Sequence, residues 1–171
     1  IALKDRTTLW NSVELNEKAS NAQLARNFII ALPKELSFEE NKRLITEFIQ
    51  ENFISKGMIV DLAIHDESDE ENNNIHAHIM TTLRPINEKG EWQPKSKKEY
   101  ILDENGEKVK LKSGNYKTRK VELTDWNDKG NAEKWRENFA SLCNQYLEKN
   151  HQEKRVDHRS YKRQGIEEIP T

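Results

Sequence analysis

The chain has 171 residues, of which 34% are hydrophobic and 34% are charged, and its formal net charge at pH 7 is −2. This length suits one domain with a single core, and the absence of a run of about 18 apolar residues or a charged, apolar leader means that neither a membrane span nor a signal peptide is predicted. The single cysteine, Cys143, excludes an internal disulfide framework and a multi-cysteine zinc site, so a reducing cytosol is expected.

The N-terminal part predicts two helices separated by a strand. "TTLWNSVELNEKASNAQLARN" carries apolar residues on one side, which predicts a helix that begins at Thr7 or Thr8. "FIIAL" is typical of a short buried strand. Ser37 and Glu40 then form an S-x-x-E capping box, which predicts the start of a second, amphipathic helix.

Two strands are predicted to follow this helix. "MIVDLAIH", which ends at His65, is apolar along nearly its whole length, so we predict that it is a central strand. "IHAHIMTTL", which begins at Ile75 after a nine-residue loop, is predicted to be its hairpin neighbour. The order strand, helix, strand, strand predicts an α+β fold, with an antiparallel sheet and helices packed on one of its faces.

The stretch 84–124 is predicted to be an insertion made of one or two exposed hairpins. It has no sustained hydrophobic period, and "DENGEKV" and "KSGNY" are typical of turns. Residues 84–120 hold eleven basic and six acidic side chains, a local excess of five positive charges. Directly upstream, "DESDEE" (66–71) places five acids in six residues. Either run alone is typical of solvated surface.

Two helices are predicted in the C-terminal part. The spacing of apolar residues from Trp135 to Tyr146 indicates a strongly amphipathic helix over 131–150. "DHRSYKRQG" is typical of a short helix that is capped by Asp157 and ended by Gly165.

The strand "IHAHIMTTL" places two histidines on one face, because side chains alternate along a strand and His76 and His78 are two residues apart. If the preceding strand is its hairpin neighbour, His65 lies beside them and three imidazoles converge. Three histidines with an open remainder of the coordination sphere form a catalytic type of metal site, which suits zinc, manganese, iron or nickel. The alternative is that these side chains pack or form hydrogen bonds without a metal.

The residues around these histidines resemble a known motif. "GMIVDLAIH…NNNIHAHIMTTLRPI" resembles the metal-binding motif of the MobA/MobL family of plasmid mobilisation relaxases, which usually runs H, a polar loop, N-P-H-x-H, an apolar run and R-P. The resemblance extends along nearly the whole chain. Three further segments are similar to successive blocks of the family: "LWNSVELNEKASNAQLARNFIIALPKEL", "DWNDKGNAEKWRENFASLCNQYLEK" and "RVDHRSYKRQGIEEIPT".

The resemblance implies the histidine-hydrophobe-histidine relaxase fold, with a ferredoxin-like palm, over the single domain 1–171. It also implies nicking and rejoining of one strand of plasmid transfer-origin DNA in the bacterial cytoplasm, by transesterification to a tyrosine. The implied partners are single-stranded or hairpin origin DNA and other relaxosome and secretion coupling proteins, with no membrane. The implied cofactor is one divalent metal ion on His65, His76 and His78: manganese or magnesium, with zinc, nickel or cobalt as alternatives.

The chain departs from the family pattern at a few positions. Ile75 stands where proline is usual, and Asn27 stands where many relatives carry an acid. In the family the nucleophilic tyrosine lies on a segment preceding the one that begins here at Ile1, so we expect the nucleophile outside this chain and the domain to lack its first segment. The tyrosines present are expected to serve the core or DNA contact: Tyr100, Tyr116, Tyr146 and Tyr161.

For the basic insertion we predict DNA contact, because lysine and arginine side chains neutralise phosphates. A tryptophan in it is a candidate platform on which a base can stack. The residues predicted to contact DNA are Arg84, Trp92, Lys95, Lys97, Lys98, Arg119 and Lys120.

Two other functions fit the same residues. A rolling-circle replication initiator or a transposase of the same fold would share the H-x-H strand. A non-catalytic, metal-stabilised DNA-binding module would use the histidines for structure alone. Metal removal separates this last possibility from an enzyme, because loss of a structural ion unfolds a small domain, whereas loss of a catalytic ion leaves the fold largely intact.

Overall fold

The computed structural model describes residues 5–66 and 75–167, so the acidic run predicted as solvated surface lies, apart from Asp66, outside the described residues. The helices are α1 (Arg6–Asn16), α2 (Phe38–Asn52), α3 (Asn131–Lys149) and α4 (Tyr161–Gln164), with a 3-10 turn at Ile54–Lys56. The strands are β1 (Ala25–Ala31), β2 (Val60–Asp66), β3 (Ile75–Thr82), β4 (Ser96–Tyr100) and β5 (Thr118–Glu122). None of these described helices is long and apolar enough to cross a membrane.

Three strands form the core sheet, in the order β1-β3-β2. Both β1 and β2 pair antiparallel with β3, so β1 and β2 run parallel to each other with β3 between them, and α2 connects them. The predicted α+β fold with an antiparallel sheet is confirmed, as is the pairing of β2 with β3 as hairpin neighbours. The prediction that "MIVDLAIH" is the central strand is wrong, because β2 lies at an edge. Its apolar residues at positions 60, 62 and 64 pack on one face only, while Asp61 and His65 share the other.

The core lies between one face of this sheet and the helices α2 and α3. As predicted, Ser37 caps α2, and its hydroxyl accepts a hydrogen bond from the Glu40 backbone N–H at 3.2 Å. Leu44 and Phe48 of α2 meet Leu142 and Cys143 of α3 in one buried cluster with the sheet. The prediction of an amphipathic helix over 131–150 is confirmed within a residue at its C-terminal end.

An aromatic cluster holds the sheet, α2 and α3 together. The ring of Phe53 lies 5.0 Å from Phe28 of β1, 5.5 Å from Phe48 of α2 and 5.4 Å from Trp135 of α3, measured between centroids. Tilted and edge-on pairs at these distances stabilise beyond the area they bury. Phe53 is fully buried, so it joins the sheet to both helices.

Helix α1 differs from its prediction in position and length. Its N-cap is Asp5, whose side chain accepts from the Thr8 backbone N–H at 2.7 Å, so neither Thr7 nor Thr8 opens the helix. It ends at Asn16, and residues 25–27 of the predicted helix belong to β1 instead. It contacts the face of the sheet opposite α2 and α3, through the hydrogen bond of Trp10 to Asp61. The helices therefore do not all lie on one face.

The short helix α4 is capped by a different residue from the one predicted. The Ser160 side chain accepts from the Arg163 backbone N–H, whereas Asp157 binds the side chain and backbone of Arg159. The predicted end is correct, because Gly165 takes the left-handed conformation with φ of 75°.

The basic insertion forms an antiparallel two-stranded sheet of β4 and β5, separate from the core sheet. Beyond these strands the hairpin continues through the bridges Leu102↔Lys108 and Lys110↔Tyr116. Turns at the predicted positions reverse the chain, with φ of 82° at Gly106, where a residue without a side chain avoids the steric cost of positive φ.

Candidate metal centre and nucleic-acid interface

Three histidines meet on one face of the core sheet. His65 of β2 lies directly opposite His76 of β3, and His78 follows two residues along β3 on the same side. The ring centroids are 5.4 Å apart for His65 and His76, 4.7 Å for His65 and His78, and 5.0 Å for His76 and His78. One possible ligand atom from each ring lies within 4.8 Å of those of the other two. The structure therefore brings together the three residues predicted as metal ligands.

The alternation of β3 explains why these rings reach solvent. Ala77 and Ile79 point into the core and are fully buried, whereas His76 and His78 are half-buried on the opposite face and His65 is exposed. The strand whose inward side chains form part of the core thus also fixes the Cα positions of His76 and His78.

Small neighbours leave room beside the rings. Ala31 of β1 pairs with His76, and Ala63 of β2 pairs with His78. Because an alanine side chain ends at Cβ, these two neighbours leave space beside the imidazoles, whereas Ile29 of β1, which is 65% exposed, pairs with His78 on its other side. This side of the sheet is accessible from solvent at the level of the histidines.

The donor set fits one divalent cation. Two imidazole nitrogens that bind the same zinc ion at about 2.0–2.1 Å lie roughly 3.3 Å from each other. In the structure one nitrogen of each ring lies within 4.8 Å of those of the other two. Rotation of the half-exposed rings can therefore bring the nitrogens to the binding distance. Within residues 5–66 and 75–167, the cluster contains no cysteine or carboxylate. An ion held by these three nitrogens alone would keep open positions for a ligand, which is the arrangement of catalytic centres rather than structural ones.

Asp61 lies on the same face of β2 as His65, four residues earlier, and it anchors α1. Its carboxylate accepts from the Trp10 indole N–H at 3.0 Å and binds the Arg6 guanidinium at 2.6 Å. Our sequence prediction did not include this residue, although the alternation in "DLAIH" places it on the histidine face. The hydrogen bonds hold α1 against the sheet beside the three histidines.

A second anchor joins α1 to the start of the insertion. The Glu17 carboxylate, 8% exposed, lies 2.9 Å from the Arg84 Nε and 2.9 Å from the Lys95 Nζ. Burial alone would raise the pKa of Glu17, but the hydrogen bonds from both cations outweigh it and hold that pKa below its ordinary value. Arg84 also donates to the Gln93 carbonyl at 3.1 Å.

The predicted DNA-contacting residues fall into two groups. Arg84, Trp92 and Lys95 lie against α1, where the Trp92 indole donates to the Ser12 hydroxyl at 2.8 Å and the two cations bind Glu17. Each of the three therefore has a partner within the chain, and these contacts position the insertion.

The second group lies on the hairpin of β4 and β5. Lys97 and Arg119 bind Glu99 at 3.0 Å each, and these hydrogen bonds lower the pKa of the Glu99 carboxyl. Lys98 and Lys120 face each other across the two strands on the opposite side of the hairpin. The hairpin therefore has one side where charges are paired and one side where cations are adjacent.

The MobA/MobL family profile matches residues 2–171, so the chain belongs to the MobA/MobL family, as the sequence motif predicted. It is 38% identical over 164 residues to "Conjugal transfer protein TraA" of Agrobacterium fabrum, covering 95% of this chain and 14% of that protein. It is 35% identical over 182 residues to "Probable mobilization protein MobA" of Bifidobacterium longum, covering 98% of this chain and 31% of that protein. The chain thus spans between a seventh and a third of the length of these relatives.

A solved structure has the same fold. The chain matches the one described as "Molecular Basis of Vancomycin Resistance Transfer in Staphylococcus aureus" with a TM-score of 0.70 and 36% sequence identity, over 93% of this chain and 69% of that chain. This likeness supports the predicted fold class over almost the whole length of the domain.

Proposed function

We propose that this chain is the nicking domain of a plasmid mobilisation relaxase, which cuts and rejoins one strand of transfer-origin DNA by transesterification to a tyrosine. The observation that carries the proposal is the convergence of His65, His76 and His78 on an open face of the sheet in a chain of the MobA/MobL family. The relatives' names, conjugal transfer protein and mobilisation protein, support mobilisation over rolling-circle replication or transposition.

The three histidines are proposed to hold one divalent ion, manganese or magnesium, with zinc, nickel or cobalt as alternatives. Such an ion would polarise a phosphate oxygen and stabilise the charge that develops on it by several kcal/mol. The contribution of the chain itself is to fix the imidazoles. His76 and His78 sit on the central strand, whose backbone pairs with β1 on one side and with β2 on the other.

The nucleophile is proposed to be a tyrosine of the family's N-terminal segment rather than one of those described here. Tyr146 is buried in α3, on the side of the sheet away from the histidines, and its hydroxyl donates to the Glu47 carboxylate at 2.6 Å. Burial and this hydrogen bond raise the pKa of Tyr146 to about 12, so it serves the core. Tyr100 and Tyr116 belong to the exposed hairpin.

The DNA is proposed to cross the histidine face and the basic hairpin, and other relaxosome and secretion coupling proteins are proposed as further partners. A phosphodiester must reach the open side of the three imidazoles. Lys98 and Lys120, together with Lys97 and Arg119, would neutralise phosphates further along the strand. The proposal extends to the whole basic set named from the sequence, with Arg84, Trp92 and Lys95 contributing from the junction with α1.

The metal assignment is tested by titrating Mn²⁺ into the 171-residue chain and measuring the heat of binding. We expect one site, which His76→Ala should weaken strongly, because an open three-ligand site cannot lose a ligand without losing most of its affinity. The matched control is His151→Asn, which removes an exposed histidine at φ of 57°, a conformation that asparagine tolerates. A triple alanine variant of the cluster that binds Mn²⁺ as tightly as the parent would refute the assignment.

The activity is tested with single-stranded origin oligonucleotides. The protein tested should carry an N-terminal segment of the family type joined to residue 1, because the family resemblance places the nucleophilic tyrosine on that segment. We expect a denaturant-resistant protein–DNA adduct that needs a divalent ion and the three histidines. Chelation should abolish the adduct and leave the circular dichroism spectrum unchanged, since the buried core needs no ion to form. Unfolding on chelation would instead indicate a metal-stabilised binding module.

A further inference from the structure

The outer half of the hairpin carries tyrosines and lysines on one face. Tyr100 pairs with Thr118 next to the opposed pair Lys98 and Lys120, and the Lys108 ammonium lies 4.0 Å from the Tyr100 ring centroid and 5.5 Å from that of Tyr116. The Lys110 ammonium lies 5.8 Å from the Tyr116 ring. We call this surface the tyrosine face and define it by Lys98, Tyr100, Lys108, Lys110, Tyr116 and Lys120.

The tyrosine face is exposed in a way that the stability of the hairpin does not require. Tyr100 is 50% exposed and Tyr116 is 43% exposed, so about half of each residue's surface remains in water. Across the strands, Lys98 lies directly opposite Lys120, an arrangement of like charges that destabilises a strand pair. A face that leaves aromatic surface uncovered and sets like charges together is typical of a binding surface.

The charges on this face are less compensated than those on the reverse side. On the reverse side, Lys97 and Arg119 share Glu99. On the tyrosine face, Lys120 binds Glu122 at 2.5 Å, whereas Lys98 and Lys108 have no carboxylate partner among the residues that the structure describes. A groove of about 810 Å³ runs along the edge of the hairpin, and Lys98, Tyr100 and Lys108 of the tyrosine face line it together with Lys97, Glu99 and Arg119 of the reverse side. The tyrosine face itself combines Lys98 and Lys108 with two exposed aromatic rings.

We propose that the tyrosine face binds unpaired bases of single-stranded DNA, with the tyrosine rings stacking on bases and the lysines contacting phosphates. Ring faces adjacent to cations are the feature by which proteins hold single strands without reading their sequence. A duplex offers phosphates but keeps its base faces stacked inside, so it would leave the tyrosines uncovered. This inference rests on the proposed function, since it extends the path of the nicked strand from the histidines to the tip of the insertion.

The angle between the rings limits how they bind. The Tyr100 and Tyr116 centroids are 5.8 Å apart and the ring planes meet at 82°, so the two rings cannot clamp one base between parallel faces. Each ring would instead stack with a separate base. At Tyr100 the Lys108 ammonium already lies over one face of the ring, 4.0 Å from the centroid, so the base would take the other face or the place of the ammonium. Two bases of one strand, each turned to its own ring, fit this geometry, and loss of either tyrosine should remove one stacking contact.

The test measures binding of the 171-residue chain to a labelled oligothymidylate of about 12 nucleotides, within the site sizes of single-strand binders, by fluorescence anisotropy. Leucine keeps apolar bulk but has no ring face, so Tyr100→Leu and Tyr116→Leu should each weaken binding by about 5- to 150-fold, the range for one stacked base. Tyr100→Phe keeps the ring and should bind like the parent. The matched control is Phe38→Leu, which removes an exposed ring of α2 and should change nothing.

The two further measurements are binding to duplex DNA and Mn²⁺ titration of a tyrosine variant. A duplex of the same length should bind more weakly than the single strand, and its affinity should not depend on Tyr100. Equal losses for both DNA forms, or leucine variants that bind the single strand like the parent, would overturn the inference. Mn²⁺ titration of Tyr100→Leu, which should match the parent, keeps the proposed function separate, because that proposal fails on the histidine variants and not on the tyrosine variants.

Discussion

The anchor at Glu17 gives a stability prediction that can be worked out from its contacts. Replacing Glu17 by glutamine removes a carboxylate that is 8% exposed and binds two cations, Arg84 and Lys95, which are themselves only 22% and 27% exposed. A hydrogen bond to a charged group contributes roughly 1.5–3 kcal/mol. Glutamine keeps one acceptor oxygen, so the loss should be roughly 2–4 kcal/mol rather than the sum of both contacts.

Chemical denaturation at neutral pH measures this loss, and for a domain of this size it corresponds to a fall in Tm of roughly 5–15 °C. The matched control is Glu14→Gln, which removes an exposed carboxylate from the same helix and should cost little. If Glu17→Gln destabilised the domain no more than Glu14→Gln, the anchor would carry no net stabilisation and our interpretation of α1 would be wrong.

The same anchor predicts a pH dependence with a definite sign. The pKa of Glu17 is lower in the folded chain than its ordinary value of 4.5. Such a group stabilises the folded state fully above its unfolded pKa, and its contribution is lost as the pH falls through the folded pKa. The difference in unfolding free energy between the parent and Glu17→Gln should therefore be constant above about pH 5 and shrink in more acidic solution. A difference that grew on acidification would refute the assignment.

Lys98→Gln combined with Lys120→Gln should reduce the slope of log affinity against log salt concentration for single-strand binding by up to about 1.4, at about 0.7 per phosphate. Lys42→Gln on α2 should leave this slope, measured by anisotropy, unchanged. Asp61→Asn should lower the free energy of unfolding, measured in urea, by about 1–3 kcal/mol. It should leave the Mn²⁺ affinity unchanged, because Asp61 lies outside the histidine cluster. A weakened affinity would place Asp61 among the ligands. Phe53→Ala should lower the free energy of unfolding by about 3–5 kcal/mol. A loss below about 1 kcal/mol would show that the packing of the sheet, α2 and α3 does not depend on this ring.

The convergence of the three histidines was predictable because it depends on local rules. Alternation along β3 places His76 and His78 on one face, and a hairpin brings the end of β2 beside the start of β3. Neither step needs information about distant parts of the chain. The Ser37 cap is local in the same sense and its hydrogen bond is present, whereas the Glu40 carboxylate of the predicted capping box binds Arg43.

Several of the errors concern contacts between residues far apart in sequence. The central position predicted for β2 was wrong because alanine at position 63 and the flanking apolar residues made β2 resemble a strand covered on both faces. The bonds of Trp10 to Asp61 and of Glu17 to Arg84 join residues 51 and 67 positions apart, and no local pattern encodes them. The cap of α4 was assigned to Asp157 rather than Ser160 because both residue types cap helices equally well. Only the packed structure shows that Asp157 is already occupied by Arg159.

The lone thiol of the chain offers a chemical measure of how often the core opens. Cys143 is fully buried between α3 and the sheet, and burial raises its pKa to about 12. Alkylating reagents attack the exposed thiolate, so the folded molecule should be inert and the rate of alkylation should follow the population in which α3 has left the core. A cation that binds only the folded state lowers that population. Slower labelling of Cys143 in the presence of Mn²⁺ would therefore report, from the far side of the sheet, that the histidines had taken up the ion.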